Sequence, residues 1–189
     1  MRKYDLIVID PPWPVSNIQR RVRPNQLSVL DYKTMDLEAI RSLQIEKLAQ
    51  DNSVIFLWTI QRFLPHSFKL LEDWGFRYQR TLTWDKGNGM CLFGFHHRTE
   101  FVLFGYRGTL PMYPRQKAIP TVFAASSERH SAKPDLFYSM IEQFGRDRID
   151  VFARKERAGW DVFGDEVENS ILLPEPISLG QIPGHCQRD

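Results

Sequence analysis

An apolar run that stops at two prolines constrains this chain more than any other feature. Tyr4–Ile9 is rich in Leu, Ile and Val and is followed at once by Asp10, Pro11, Pro12 and Trp13. A run of this kind with little alternation suits a parallel strand buried on both faces, because such a strand meets apolar layers above and below. Pro11 and Pro12 have no amide hydrogen for a ladder and hold φ at about −65°, so the strand ends there and the backbone beyond is stiff. An acid, two rigid residues and a large aromatic are thus delivered at the carboxyl end of a strand, where open α/β sheets gather their ligands.

The remaining pattern alternates strands with helices. Further strands are predicted at Ser53–Trp58, Phe76–Trp84, Glu100–Phe104, Ile119–Ala124 and Arg148–Ala153. A helix entered at Thr34 or Asp36 follows from Leu37, Ile40, Leu43 and Leu48. A second runs through Phe63, Phe68, Leu70, Leu71 and Trp74 to a stop at Gly75, and a third opens at Lys133-Pro134-Asp135 and closes at Gly145. Residues 14–31 and 85–97 read as loops, the latter because Gly87, Gly89 and Gly94 crowd it. The fold class is therefore α/β, a mainly parallel sheet with helices on both faces. Residues 1–169 are expected to form one domain, a size that buries a single substantial core, and residues 170–189 an extended or disordered tail.

Charge and cysteine content narrow the function classes. Cys91 and Cys186 are the only two cysteines and have no ligand spacing, so neither a disulfide framework nor a metal site is expected. The longest apolar runs are too short to span a bilayer or to form a signal peptide, which predicts a cytoplasmic protein with no membrane partner. A net charge of +2 does not announce a nucleic-acid binder, but its distribution is suggestive. Arg20, Arg21 and Arg23 form one cluster, His96, His97 and Arg98 a second, and Arg129, His130 and Lys133 a third. Solvated loops explain any one of them; together they suit a phosphate-facing rim.

The Asp-Pro-Pro-Trp junction suits one chemistry well. An exocyclic amine on a purine is a poor nucleophile while its lone pair is delocalised into the ring. Acceptors on its two hydrogens hold it in a more pyramidal geometry, and the Asp10 carboxylate and the Pro11 carbonyl are the candidates. Trp13 is the candidate aromatic for stacking on the base, a contact worth about 1–3 kcal/mol. A plain turn is the competing reading of the tripeptide.

Over residues 3–167 the sequence resembles the MT-A70 family, which transfers a methyl group from S-adenosyl-L-methionine to the N6 amine of adenine. The resemblance implies that Asp10, Pro11, Pro12 and Trp13 are the catalytic motif. Leu30-Asp31-Tyr32-Lys33-Thr34-Met35 is similar to the family's active-site loop, which makes Tyr32 a base-pocket candidate beside Trp84 of the Leu82–Lys86 landmark. His97 and Glu100 fall where the family has a His and a Glu, and Arg20, Arg21, Arg23, His97 and Arg98 are the implied strand contacts. Lys133 of Ser131-Ala132-Lys133-Pro134-Asp135 corresponds to the lysine that holds the cofactor's carboxylate. Arg154 and Glu166 correspond to ribose contacts, and Asp165, a further cofactor-binding candidate, stands where the family usually has Asn, so that a donor becomes an acceptor there. The cofactor's adenine is left to the Ile9 backbone or a later loop.

The order of motifs implies a circularly permuted, Rossmann-like class I methyltransferase fold. The resemblance favours DNA, in view of the short single domain, with RNA as the alternative and a single-stranded or flipped adenine as the substrate state. A possible homodimer is expected because the best-known relative works as a pseudo-symmetric pair. A catalytically inactive nucleic-acid-binding partner and a protein-amide methyltransferase are the competing readings. Intact Asp10 and Trp13 argue against the first, and a carboxylate rather than an amide at position 10 argues against the second.

Overall fold

The computed structural model describes residues 2–15, 34–92, 94–110, 118–126 and 133–173. β1 (Tyr4–Ile9) is followed by α1 (Leu37–Arg41), α2 (Ile45–Leu48), β2 (Ala49–Thr59) and α3 (Leu64–Asp73). The chain continues through β3 (Arg77–Leu92), β4 (Phe95–Arg107), β5 (Val122–Ala124), α4 (Asp135–Ile141), β6 (Arg148–Val151) and β7 (Asp161–Phe163). These strands form one sheet in the order β5-β3-β4-β2-β1-β6-β7. β1 is parallel to both β2 and β6, β6 to β7 and β3 to β5, while β4 is antiparallel to β2 and β3. Six strands therefore run one way and β4 alone runs the other, which makes the sheet mainly parallel, as expected.

The side-chain alternation of β1 divides the core into two layers. Ile7 and Ile9 face Ile40, Ile45, Leu71 and Trp74, under α1 to α3. Leu6 and Val8 face Phe56, Trp58, Phe137 and Ile141, under α4. Both faces of β1 are apolar and both are covered, so the continuous run read from the sequence is the signature of its central position.

Three elements differ from the sequence reading. The single helix expected from residue 34 to 48 is two short ones. Asp36 caps the first, its Oδ1 accepting the Ala39 amide at 2.7 Å, and Ser42 ends it by donating its hydroxyl to the Ala39 carbonyl at 2.9 Å. The glycine-rich stretch expected as a loop is a two-stranded ribbon, in which Met90–Leu92 pair with Phe95–His97. Gly87 at φ 72° and Gly94 at φ 79° supply a bulge and a turn there, while a Cβ on Gly89 would stand 2.2 Å from the His97 carbonyl oxygen. Gly89 thus admits the neighbouring strand rather than loosening the chain. The third difference is β7, missed because Asp161–Phe163 is too short to show a period. Ser170 closes its outer edge by exchanging hydrogen bonds with Val162, and Ile171 and Leu173 pack on the core, so ordered structure continues past residue 169.

Gly164 brings the ends of β6 and β7 together. A Cβ there would lie 2.1 Å from the Ala153 carbonyl oxygen and 2.9 Å from its nitrogen. Gly164→Ala should therefore destabilise the protein by about 1–3 kcal/mol, read as a lowered urea midpoint at unchanged slope.

Candidate active site

The carboxyl ends of β1 and β6, with the turn after β7, enclose a cleft of about 350 Å³. Asp10 leaves β1 with its amide bonded to the Val151 carbonyl at 3.3 Å, which fixes where its side chain starts. The Pro11 carbonyl accepts the Trp13 amide at 2.8 Å, and the Pro12 carbonyl accepts the Met35 amide at 2.8 Å. Each carbonyl oxygen has two lone pairs, so Pro11 retains one for a further donor.

A chain of charges starts on the cleft wall, where Asp10, Glu100 and Lys133 line it. The Lys133 ammonium lies 2.9 Å from Asp10 Oδ2 and 3.1 Å from Glu100 Oε2, and Lys86 reaches Glu100 Oε1 at 3.1 Å. Lys133 also stands over the Trp58 ring at 4.8 Å, a favourable place for a cation. Burial pushes the Asp10 carboxyl above its ordinary range, against the pull of Lys133. Burial acts the same way on Glu100, but Lys133 and Lys86 outweigh it and hold Glu100 below the usual range. Burial alone would depress the Lys133 ammonium; Asp10 and Glu100 together raise it instead.

The far wall carries the residues after β6 and β7. Arg154 Nη1 pairs with Glu166 Oε1 at 3.2 Å, and Asp165 lies beside them on the cleft. Phe152 holds φ at 65°, a left-handed conformation that a bulky aromatic adopts only when its surroundings enforce it. Its ring meets Phe163 edge-on with centroids 6.2 Å apart, and the turn directs Ala153 and Arg154 to the cleft.

Asp10, Pro11, Pro12, Trp13, Lys133, Arg154, Asp165 and Glu166 are thus gathered around one space. Other expected site residues are not. Trp84 is 1% exposed, donates its indole N–H to the Ala125 carbonyl at 2.9 Å and packs edge-on against Trp58, so it sits in the core and is not among the residues lining the cleft. Ile9 is fully buried between Leu57 and Val151, with its backbone inside the ladder rather than in the cleft. His97 and Arg98 lie on the exposed ribbon, where Arg98 is paired with Asp85. Arg20, Arg21, Arg23 and Tyr32 lie outside the described residues. Glu100 is the site residue that the sequence reading left without a role. Its signal was an acid opening an otherwise apolar strand.

Trp13 is held differently from a stacking platform. It is 6% exposed, its indole N–H donates to the Trp58 carbonyl at 3.2 Å, and one ring face lies on Phe63 at 5.1 Å and 10°. Its contacts peg the proline turn to the end of β2. Trp13→Phe retains the stack and loses the hydrogen bond, and should cost about 1 kcal/mol in a thermal melt.

Residues 4–166 match the MT-A70 family profile. The chain belongs to the MT-A70 family. Its sheet and layers are those of a Rossmann-like methyltransferase, with the acid-bearing β1 earlier in the chain than its neighbour β6. Among MT-A70-related proteins, the Type II methyltransferase M.MunI of a Mycoplasma species is 27% identical, over 92% of this chain and 82% of its own length. The N(6)-adenosine-methyltransferase MT-A70-like protein of Drosophila melanogaster is 28% identical over 95% of this chain but only 29% of its own length. The N6-adenosine-methyltransferase non-catalytic subunit MTB of Arabidopsis thaliana is 31% identical over 57% of this chain and 15% of its own. The chain therefore spans most of the first relative and under a third of the other two.

Proposed function

We propose that this MT-A70 chain is an S-adenosylmethionine-dependent adenine-N6 methyltransferase acting on nucleic acid, with DNA the favoured polymer. The observation that carries the reading is the partly buried Asp10 carboxylate on the cleft, held by Lys133 at 2.9 Å and followed directly by the Pro11 carbonyl. Two acceptors on a rigid turn can take the two hydrogens of an adenine amine and turn its lone pair outward. DNA is favoured because a Type II methyltransferase is matched over 82% of its own length, whereas relatives named as RNA methyltransferases are matched over about half of theirs. Asp10 and Lys133 both being present argues against a catalytically inactive partner, even though one relative is a non-catalytic subunit.

The residues fit the cofactor. Arg154 offers a cation to a carboxylate and Asp165 and Glu166 offer acceptors to hydroxyl or ammonium groups, while Lys133, held by Asp10 and Glu100, keeps the acid in place on the same cleft. Bound there, the cofactor supplies an electrophilic methyl on a sulfonium. The Asp10 carboxylate and the Pro11 carbonyl would accept the two amine hydrogens and align the nitrogen on that methyl, and the proton given up on transfer would pass to the Asp10 carboxylate or to water. The target base must leave its stack to reach Asp10, so single-stranded or flipped adenine is the substrate state. Incubation with methyl-labelled cofactor and matched DNA and RNA oligonucleotides, followed by nucleoside mass spectrometry, should yield N6-methyladenine in DNA. Label in RNA alone would reverse the polymer preference, and label in neither would remove the enzyme reading. Light scattering at assay concentration should give twice the chain mass if the chain works as a homodimer.

A further inference from the structure

Behind the cleft lies a buried acid with no part in that chemistry. Asp150 on β6 pairs in register with Val8 of β1, so it shares a sheet face with Asp10, two residues further along. It is 3% exposed, and its Oδ2 accepts the Tyr138 hydroxyl of α4 at 2.7 Å. Arg157, between β6 and β7, stands 3.7 Å from that oxygen, beyond hydrogen-bond length. Its closer bond, at 3.0 Å, goes to Asp135, and its guanidinium lies over the Tyr138 ring at 3.5 Å. Lys133 is already shared by Asp10 and Glu100. On the turn after α4, Glu142 is occupied by Arg148 at 3.4 Å and by the Trp160 indole N–H at 3.0 Å. Asp150 therefore has a hydroxyl partner and only a divided share of one cation.

The charge count beside it makes this consequential. Asp10 and Glu100 are balanced by Lys133 and Lys86, Arg154 pairs with Glu166, and Asp165 leaves the cleft lining with an excess negative charge. We propose that Asp150 is a positioning residue that adds to that negative charge from behind the cleft, its ionised form favouring a cationic methyl donor over the neutral thioether left after transfer. The inference rests on the methyltransferase reading. Burial pushes the Asp150 carboxyl up to about 7, opposed by the Tyr138 bond and by Arg157 and reinforced by Asp10. Its charge therefore changes across neutral pH. By linkage, a sulfonium that favours ionised Asp150 is itself favoured by it.

The test compares binding of S-adenosylmethionine and S-adenosylhomocysteine by calorimetry at pH 6 and pH 8. The two share amino and carboxylate groups, so the ratio of their affinities isolates the sulfonium. In the parent that ratio should rise with pH, by about tenfold for each unit by which the ligand displaces the Asp150 titration. In Asp150→Asn it should be flat. Tyr138→Phe removes a bond that lowers the Asp150 value, so the rise should move to higher pH; this variant also carries the test if Asp150→Asn fails to fold. A parent ratio equal at both pH values overturns the proposal, as does a slope surviving in Asp150→Asn, which would assign it to Asp10. Binding of neither ligand at either pH would instead bring down the methyltransferase reading and this inference with it.

The ligand-free protein gives a second readout. The native state holds the Asp150 proton more tightly than the unfolded chain, so this group's contribution to stability falls as pH rises from about 4 toward 7. Urea titrations should show that component in the parent and not in Asp150→Asn.

Discussion

Asp10→Ala should lower the rate of methyl transfer by about 10²- to 10³-fold while leaving a folded protein that still binds cofactor. The loss follows from geometry. The carboxylate is one of two acceptors that hold the amine, and the Pro11 carbonyl that remains is already shared with the Trp13 amide. Asp10→Asn separates charge from shape, since the amide oxygen still accepts but carries no negative charge for Lys133. Single-turnover label transfer, with cofactor affinity measured alongside, reads both variants. A parental rate in Asp10→Ala would remove the acid from the mechanism. Because burial raises the Asp10 carboxyl, the ionised form is lost as pH falls through a value above the ordinary carboxylate range. The acid limb of the rate profile should accordingly lie above the ordinary carboxylate range.

Lys133→Met should be the most destabilising single change near the cleft. It leaves the partly buried Asp10 and Glu100 without the cation they share, with Lys86 on Glu100 alone. Breaking a buried pair by removing one partner costs about 3–5 kcal/mol. Retained Lys86 and the partial exposure of Asp10 place the loss at the lower end, a fall of about 6–12 °C in melting temperature for a chain of this size. The sign of its pH dependence is fixed. Protonation of the stranded carboxylates relieves their repulsion, so the deficit relative to the parent should shrink from pH 8 to pH 5. Lys133→Arg, which keeps the charge, should recover part of the stability. Melts of Lys133→Met that match the parent at both pH values would mean that the ammonium does not hold these acids together.

The parts of the structure legible in the sequence were those whose cause is local. Tyr4–Ile9 announced a central strand because both of its faces must be apolar there, and Gly75, at φ 78°, announced the end of α3 because few other residues adopt that angle. The Asp10 turn was legible because two prolines leave the backbone little choice. What escaped depended on partners distant in sequence. Gly89 is small because His97 passes close by, and no local pattern separates that from a flexible loop. Trp84 looked like a pocket aromatic until β5 supplied Ala125 for its N–H, and the isolated Glu100 gained meaning only when Lys133 arrived beside it. Lys133 itself was singled out for a cofactor carboxylate, whereas in the folded chain its nearest anions belong to the protein.

The hydrogen bond between the Pro12 carbonyl and the Met35 amide has an evolutionary consequence. The chain departs from the acid's turn and comes back to the same turn, where Asp36 immediately starts α1. That bond holds Pro12 and Met35 side by side, and where two positions are clamped in this way, doubling the length of a flexible connection between them costs only about 0.6 kcal/mol in closure entropy. Descendants of this chain can therefore change the length between the two clamped positions while the acid, its carbonyl neighbour, Trp13 and the strand beneath them keep their places.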